Sequence, residues 1–302
     1  MSEKQLLHKT VLVKQVLEYL NPQAGKTYLD ATFGSGGHTR AILEREPNCS
    51  VVALDWDQLA LDTYGPALRE EFGDRLTLVW GNFALLYKLL RENKINGLDG
   101  ILADFGTSQI QIINRPGFSV HRNTPLDMRM SPAHQKITAA ELLNKATEEK
   151  LREIFWQFGQ ERNAKQIAAA IVQERAKKTF RTTDQLAELI ARIVPTKNRR
   201  IHPATQVFQA LRIFVNKELD NISAFLSTAV SALNSDGRLV CISFHSLEDR
   251  LVKHFFKEKE QEGILSVLTP RVITADEEEL AQNPSSRSAC LRAAARTDKE
   301  NN

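Results

Sequence analysis

The chain has 302 residues, 42% hydrophobic and 25% charged, with a net charge of +3 at neutral pH, the balance of a soluble globular protein of one large or two modest domains. No run approaches the ~20 apolar residues of a membrane span, and the polar start MSEKQLLHKT lacks the apolar stretch of a signal peptide, so the cytoplasm is the expected compartment. The three cysteines, Cys49, Cys241 and Cys290, are far apart and form no C-x-x-C pair, which argues against a zinc site or a disulfide framework; no metal is expected.

In chain order, apolar residues at Val11, Leu12, Val16, Leu17 and Leu20 have helical spacing, ended by Asn21-Pro22. Residues 26–30 read as a short strand running into the turn Gly34-Ser35-Gly36-Gly37-His38, with Thr39 to Glu46 as the helix that follows. Such a turn leaves backbone N–H groups at a helix start, where the missing side chains let a ligand approach. A dinucleotide site has G-x-G-x-x-G. Here Thr39 stands where the third glycine would be, and Asp30 lies four residues before the first. An acid followed by spaced glycines suits S-adenosylmethionine better, since its amino-acid portion carries an ammonium and no pyrophosphate. A purely structural turn is the alternative.

Ser50 to Leu54 is a β-branched run that reads as a buried strand, ending at Asp55. An acid there meets a ribose diol, or else caps the next helix, residues 58–70. Leu76 to Trp80 is a third strand; Phe83 beyond it offers a face to an adenine or packs in the core. Leu98 to Ala103 is a fourth strand, ending at Asp104. Strands alternating with helices predict an α/β fold, a doubly wound and mostly parallel sheet, with its ligand at the carboxyl edge. The glycine turn, Asp55, Phe83 and Asp104 all fall at that edge.

From about 132 to 215 the pattern is helical only: 137–144, 147–158, 161–178, 183–194 and 204 onward, with Thr138, Thr147 and Thr183 as expected N-caps. This predicts an inserted all-helical domain, 107–215, within a discontinuous domain of 1–106 and 216–302. The insertion carries 18 lysines and arginines against 9 acids, a balance of +9 on a body of −6. Its basic residues cluster at Lys177-Lys178, Arg181 and Lys197–Arg200, which points to a polyanionic partner. An amphipathic helix is expected over 220–233, a turn at Ser235-Asp236-Gly237, and a fifth strand over 238–244. His245-Ser246 then open a helix, with Ser246-x-x-Asp249 as a capping-box-like start. The tail has β-like pieces at 264–268 and 289–291, and the acidic stretch 276–279 reads as a loop or short helix.

Several stretches, taken together, resemble one family. Asp30-Ala31-Thr32-Phe33-Gly34-Ser35-Gly36-Gly37-His38 is similar to its D-G-T-F-G-x-G-G-H, with Ala31 for glycine. Gly117-Phe118-Ser119, Pro125-Leu126-Asp127-Met128-Arg129-Met130 and His202-Pro203-Ala204-Thr205 match further motifs. So do Phe208-Gln209-Ala210-Leu211-Arg212-Ile213 and Ile242-Ser243-Phe244-His245-Ser246-Leu247-Glu248-Asp249-Arg250. The chain resembles the RsmH (MraW) family of 16S rRNA cytosine-N4 methyltransferases from His8 to about Arg296. The resemblance implies a Rossmann-like methyltransferase dependent on S-adenosyl-L-methionine. Its implied target is N4 of a decoding-centre cytidine, position 1402, in the 16S rRNA of the small ribosomal subunit. It places cofactor contacts on Gly36, Gly37, His38, Asp55, Phe83, Asp104 and Gln111. The chain departs from the family at Gln109 and Ile110, so Gln109 competes with Gln111 for that contact.

Cytosine N4 is a poor nucleophile because its lone pair is conjugated into the ring. An acceptor at the end of strand four would hydrogen-bond the amino group and orient that lone pair. Asp104 is the catalytic candidate, with Asp127 a second carboxylate. His245 is expected to touch the base or its phosphate, and Lys197, Arg199, Arg200 and His202 to face RNA. The target base must leave its stack to reach the methyl. A non-catalytic RNA-binding assembly factor on the same fold is the competing reading, and a homodimer is compatible with either.

Overall fold

The computed structural model describes residues 9–107, 115–194 and 202–297. The chain divides into two compact units, Met1–Gly106 with Leu219–Asn302, and Thr107–Glu218.

In the first unit α1 (Val13–Leu20) precedes β1 (Thr27–Asp30), α2 (Gly37–Arg45), β2 (Ser50–Asp55), α3 (Gln58–Phe72), β3 (Leu76–Trp80), α4 (Leu86–Glu92) and β4 (Leu98–Asp104). These are β–α repeats, as the alternation predicts. β2 is Val-Val-Ala-Leu between its ends and is buried on both faces, which suits a central parallel strand. α3 starts at Asp57, whose carboxylate accepts the Leu59 N–H at 3.2 Å. Asp55 is therefore not the helix cap.

The second unit follows as α5 (Ala139–Lys145), α6 (Glu148–Gly159), α7 (Ala164–Arg175), α8 (Thr183–Ile193) and α9 (Thr205–Asn216). Its core is its own, with Leu151, Ile154, Phe155, Ile167, Ile171, Leu186, Ile190 and Leu211 fully buried. Thr138 and Thr147 cap α5 and α6, each accepting the backbone N–H three residues on. The expected cap at Thr183 is one residue out. Thr182 holds that position, because the Thr183 hydroxyl is buried and committed, donating to the Arg122 carbonyl at 2.5 Å and accepting the Thr124 N–H at 3.0 Å.

α10 (Glu218–Ala232), β5 (Leu233–Ser243), α11 (Ser246–Gln261), β6 (Leu265–Val267), β7 (Ile273–Thr274), α12 (Glu277–Gln282) and β8 (Cys290–Arg296) complete the chain. The expected turn survives inside β5: Asp236 has φ 60°, and the register with β4 shifts between Leu233 and Arg238. The capping box expected at Ser246 and Asp249 is displaced by one residue. His245 is the N-cap and Glu248 the third helical position, while Asp249 instead forms a bidentate pair with Arg292 at 2.6 and 3.0 Å.

The sheet has eight strands in the order β3-β2-β1-β4-β5-β8-β6, with β7 paired to β8. β3, β2, β1, β4 and β5 run parallel; β8 runs antiparallel to β5, β6 and β7. Strand order reverses between β1 and β4, so the crevice for a ligand opens beyond their carboxyl ends. Below it, Phe225 is fully buried and meets Phe83 and Phe105 edge-on at 5.4 and 6.0 Å. Such contacts each add about 0.5–1.5 kcal/mol beyond area burial. No helix among the described residues is long and apolar enough to cross a membrane.

Candidate active site at the carboxyl edge of the sheet

Four strand ends converge on the crevice; three carry a carboxylate, each held in a different way, and the fourth, β3, leads to Phe83. At the end of β1, Asp30 is fully buried. Its Oδ2 accepts the Thr39 hydroxyl at 2.7 Å and its Oδ1 the Thr32 N–H at 3.2 Å. Burial pushes this carboxyl above its ordinary value. Asp30 thus ties β1 to the first turn of α2, and its acceptors are engaged within the protein.

The glycine turn between them is shaped mostly by packing. Gly36, at φ 80°, is the N-cap of α2; a Cβ there would sit 2.8 Å from Leu68 and 2.9 Å from the Phe33 ring. A Cβ on Gly37 would lie 1.7 Å from the Thr10 hydroxyl. Both glycines make room for the protein's own side chains. Gly34 differs: at φ 55° it needs the left-handed region, and its nearest obstacle is a backbone oxygen 3.8 Å away. Of the three, Gly34 has the open approach that a ligand needs.

Gly34 also meets the end of β2. Its N–H donates to Asp55 Oδ2 at 2.8 Å, and the Asp57 N–H donates to Asp55 Oδ1 at 2.8 Å. Burial raises the Asp55 carboxyl to about 7 against the pull of those two N–H donors. Each oxygen keeps a lone pair, so an ionised Asp55 has the acceptors for two ribose hydroxyls. Beyond β3, half-buried Phe83 lies 6.3 Å from Trp56 and 6.0 Å from Phe105, ring centroid to centroid. It serves the core with one side and leaves part of its surface to the rim.

At the end of β4, the Asp104 N–H donates to the Thr32 hydroxyl at 2.7 Å. Its Oδ2 lies 3.5 Å from His38 Nε2, and its Oδ1 is buried with no hydrogen-bond partner among the described residues. His38, in the first turn of α2, is 4% exposed. The two sequence candidates from opposite sides of the crevice are thereby brought together.

Other candidates are placed less favourably. Both ring nitrogens of His245 turn back on its own helix: Nδ1 accepts the Glu248 N–H at 3.4 Å and Nε2 faces Glu248 Oε1 at 3.1 Å. Nε2 is buried and makes no hydrogen bond among the described residues. Glu248, fully buried, also accepts the Phe244 N–H at 2.8 Å. Sequence reasoning missed it; a glutamate at the third position of the helix was the available sign. In the second unit Asp127 is committed to Arg129 through contacts of 2.7 and 2.8 Å. Burial lifts that carboxyl, but the hydrogen bonds and charge of Arg129 outweigh it and hold the group below its ordinary value. His202 Nδ1 accepts the Ala204 N–H at 3.1 Å, and its ring meets His121 edge-on at 5.7 Å. Burial first, and His121 second, hold the His202 imidazole below its ordinary value. Gln109, Gln111, Lys197, Arg199 and Arg200 lie outside the described residues.

A doubly wound sheet with a glycine turn at the first strand end and acids at the second and fourth is the frame of a Rossmann-like methyltransferase. Residues 5–297 match the model of the MraW methylase family. A protein of Cyanothece sp. named ribosomal RNA small subunit methyltransferase H is 47% identical over 98% of this chain and 97% of its own. Proteins of the same name from Thermomicrobium roseum and Coprothermobacter proteolyticus are 45% and 46% identical. They cover 96% and 94% of this chain, and 93% and 94% of their own. The chain belongs to the MraW methylase family and is a methyltransferase that uses S-adenosyl-L-methionine.

The rim fits that cofactor. Gly34 is open, Asp55 retains acceptors, Phe83 keeps part of a face, and His38 and Asp104 hold buried polar atoms without hydrogen bonds. When bound, the cofactor supplies a sulfonium methyl, an electrophile that needs no metal.

Proposed function

We propose that this chain methylates the N4 amino group of a decoding-centre cytidine in 16S rRNA, acting in the cytoplasm on the small ribosomal subunit. The names of its curated relatives support the rRNA substrate, and the family resemblance read from the sequence supports the position. One observation carries the chemistry: a buried carboxylate oxygen, Asp104 Oδ1, has no hydrogen-bond partner among the described residues. It is an acceptor available to an amino group at the crevice.

Asp55 holds the ribose of the cofactor through the oxygens that already accept the N–H groups of Gly34 and Asp57. Gly36 and Gly37 set the backbone of the turn, and Phe83 lines the adenine side. Asp104 accepts a hydrogen bond from the amino group and turns its lone pair toward the methyl; positioning of this kind supplies ~7–11 kcal/mol of a barrier. Lys197, Arg199, Arg200 and His202 on the basic insertion meet RNA phosphates. The test is incubation with labelled cofactor and small subunits from cells lacking the enzyme, followed by mapping of the modified base. Label on a ring carbon or on a ribose would end the N4 reading. Charge reversal at Lys197, Arg199 and Arg200 should weaken RNA binding and flatten its salt dependence; an unchanged salt slope would remove these residues from the RNA surface.

A further inference from the structure

Packing does not account for His38. Its imidazole is 4% exposed, yet neither ring nitrogen makes a hydrogen bond among the described residues. Burying such groups unsatisfied costs stability, and a fold that keeps them invites an account of what uses them. The charged groups acting on the ring are Asp30 from β1 and Asp104 from β4. Asp30 already accepts from Thr39 and Thr32. Asp104 has one unpartnered oxygen and presents the other to His38 Nε2 at 3.5 Å. The ring therefore lies between a carboxylate with a donor on each oxygen and one whose Oδ1 has none among the described residues.

We infer that His38 is a positioning residue for the transfer, acting through Asp104. It takes on the proton that the carboxylate receives and so returns Asp104 to its accepting form. The inference rests on the amino-nitrogen reading above. Methylating an exocyclic amine forms one N–C bond, while the electrons of the methyl's former bond leave with sulfur. One N–H bond then breaks; its electron pair stays on nitrogen and the proton passes to Asp104. The carboxylic O–H next gives its proton to the lone pair on His38 Nε2, which restores the carboxylate and leaves an imidazolium. Water removes that proton. Since neither ring nitrogen is committed elsewhere, the tautomer with a bare Nε2 is open to the ring.

The test reads the ring itself as well as the rate. Imidazole-¹⁵N NMR of the full chain, with the His38 signal assigned by its absence in His38→Gln, compares the ring in the wild type and in Asp104→Asn. Losing the facing carboxylate should change the ring's ¹⁵N signature; identical ring signals overturn the inference. His38→Gln should lower kcat about 10–100-fold at saturating cofactor. A raised KM for the cofactor with kcat intact overturns it equally. If Asp104→Asn does not fold, the pH profile of kcat in His38→Gln replaces the spectrum. A changed limb supports the inference, and a profile superimposable on the wild type's defeats it. Wild-type methylation of N4 is the control. Without it the functional reading fails and takes this inference with it; with it, an unchanged ring signature and an unchanged kcat defeat this inference alone.

Discussion

The loop 125–131 of the helical insertion and the carboxyl rim of the sheet both bury polar side chains, and they treat them oppositely. Against the loop, Asn216 at the end of α9 is fully buried; it accepts the Met130 N–H and donates to the carbonyls of Met128 and Arg212, each at 2.8 Å. Asp127 is clamped by Arg129. At the rim, His38 and one oxygen of Asp104 are buried without hydrogen bonds. Saturated groups fix a chain path; unsaturated ones hold capacity for something that arrives.

The sharpest way to break this contrast is Asp104→Asn. Methyl transfer should fall about 10²–10⁴-fold, the usual span for a lost acid–base group, while the denaturant midpoint holds or rises. A rate within threefold of the wild type would place Asp104 with the saturated groups. Asp55 gives the next effect. Burial raises it from 3.8 to about 7. Because the folded value is the higher one, its contribution to stability is whole below about 3.8 and is lost as pH rises to about 7. At 1.36 kcal/mol per unit this is at most about 4 kcal/mol. Unfolding free energies measured from pH 4 to 8 should show that slope in the wild type and lose it in Asp55→Asn. Affinity for S-adenosylhomocysteine should run the other way, rising up to about tenfold per unit below about pH 7. A pH-independent affinity would mean that the diol does not use the ionised carboxylate.

Smaller effects sharpen the scaffold side. Asn216→Ala removes the hydrogen bonds to the Met130 N–H and to the Met128 and Arg212 carbonyls, so urea unfolding should show a loss of about 2–3 kcal/mol. S-adenosylhomocysteine binding should be unchanged; a parallel loss of affinity would mean that the loop does more than hold itself. Thr138→Ala takes the cap from α5, and a loss of about 1 kcal/mol is expected by the same measurement.

Much of the fold was legible because each parallel strand is a short apolar run closed by a polar residue. Leu76 to Trp80 was placed at both ends, and the acids at 55 and 104 mark strand termini. What escaped was set by tertiary context. Thr182 and Thr183 are chemically equal as caps, and only the tether from Thr183 to the 122–124 segment decides between them. The two residues of β7 are too few for any periodicity. β8, Cys-Leu-Arg-Ala-Ala-Ala-Arg, is a poor strand by propensity and exists because it pairs with β5 on one side and with β6 and β7 on the other. In the site, the glycine spacing pointed at the right turn. It could not tell that Gly36 and Gly37 make room for Phe33, Leu68 and Thr10 while Gly34 alone stays open.

β8 has one more consequence, in the order of synthesis. It lies between β5 and β6 but is encoded some fifty residues after β5. Until it emerges, the outer margin of β5 is a bare row of amides and carbonyls, the kind of surface that recruits stray strands. β1 and β4, whose ends form the crevice, pair directly with each other and do not wait for it. A nascent chain can therefore shape its cofactor cleft early and remains open to misassembly at β5 until translation has passed residue 296.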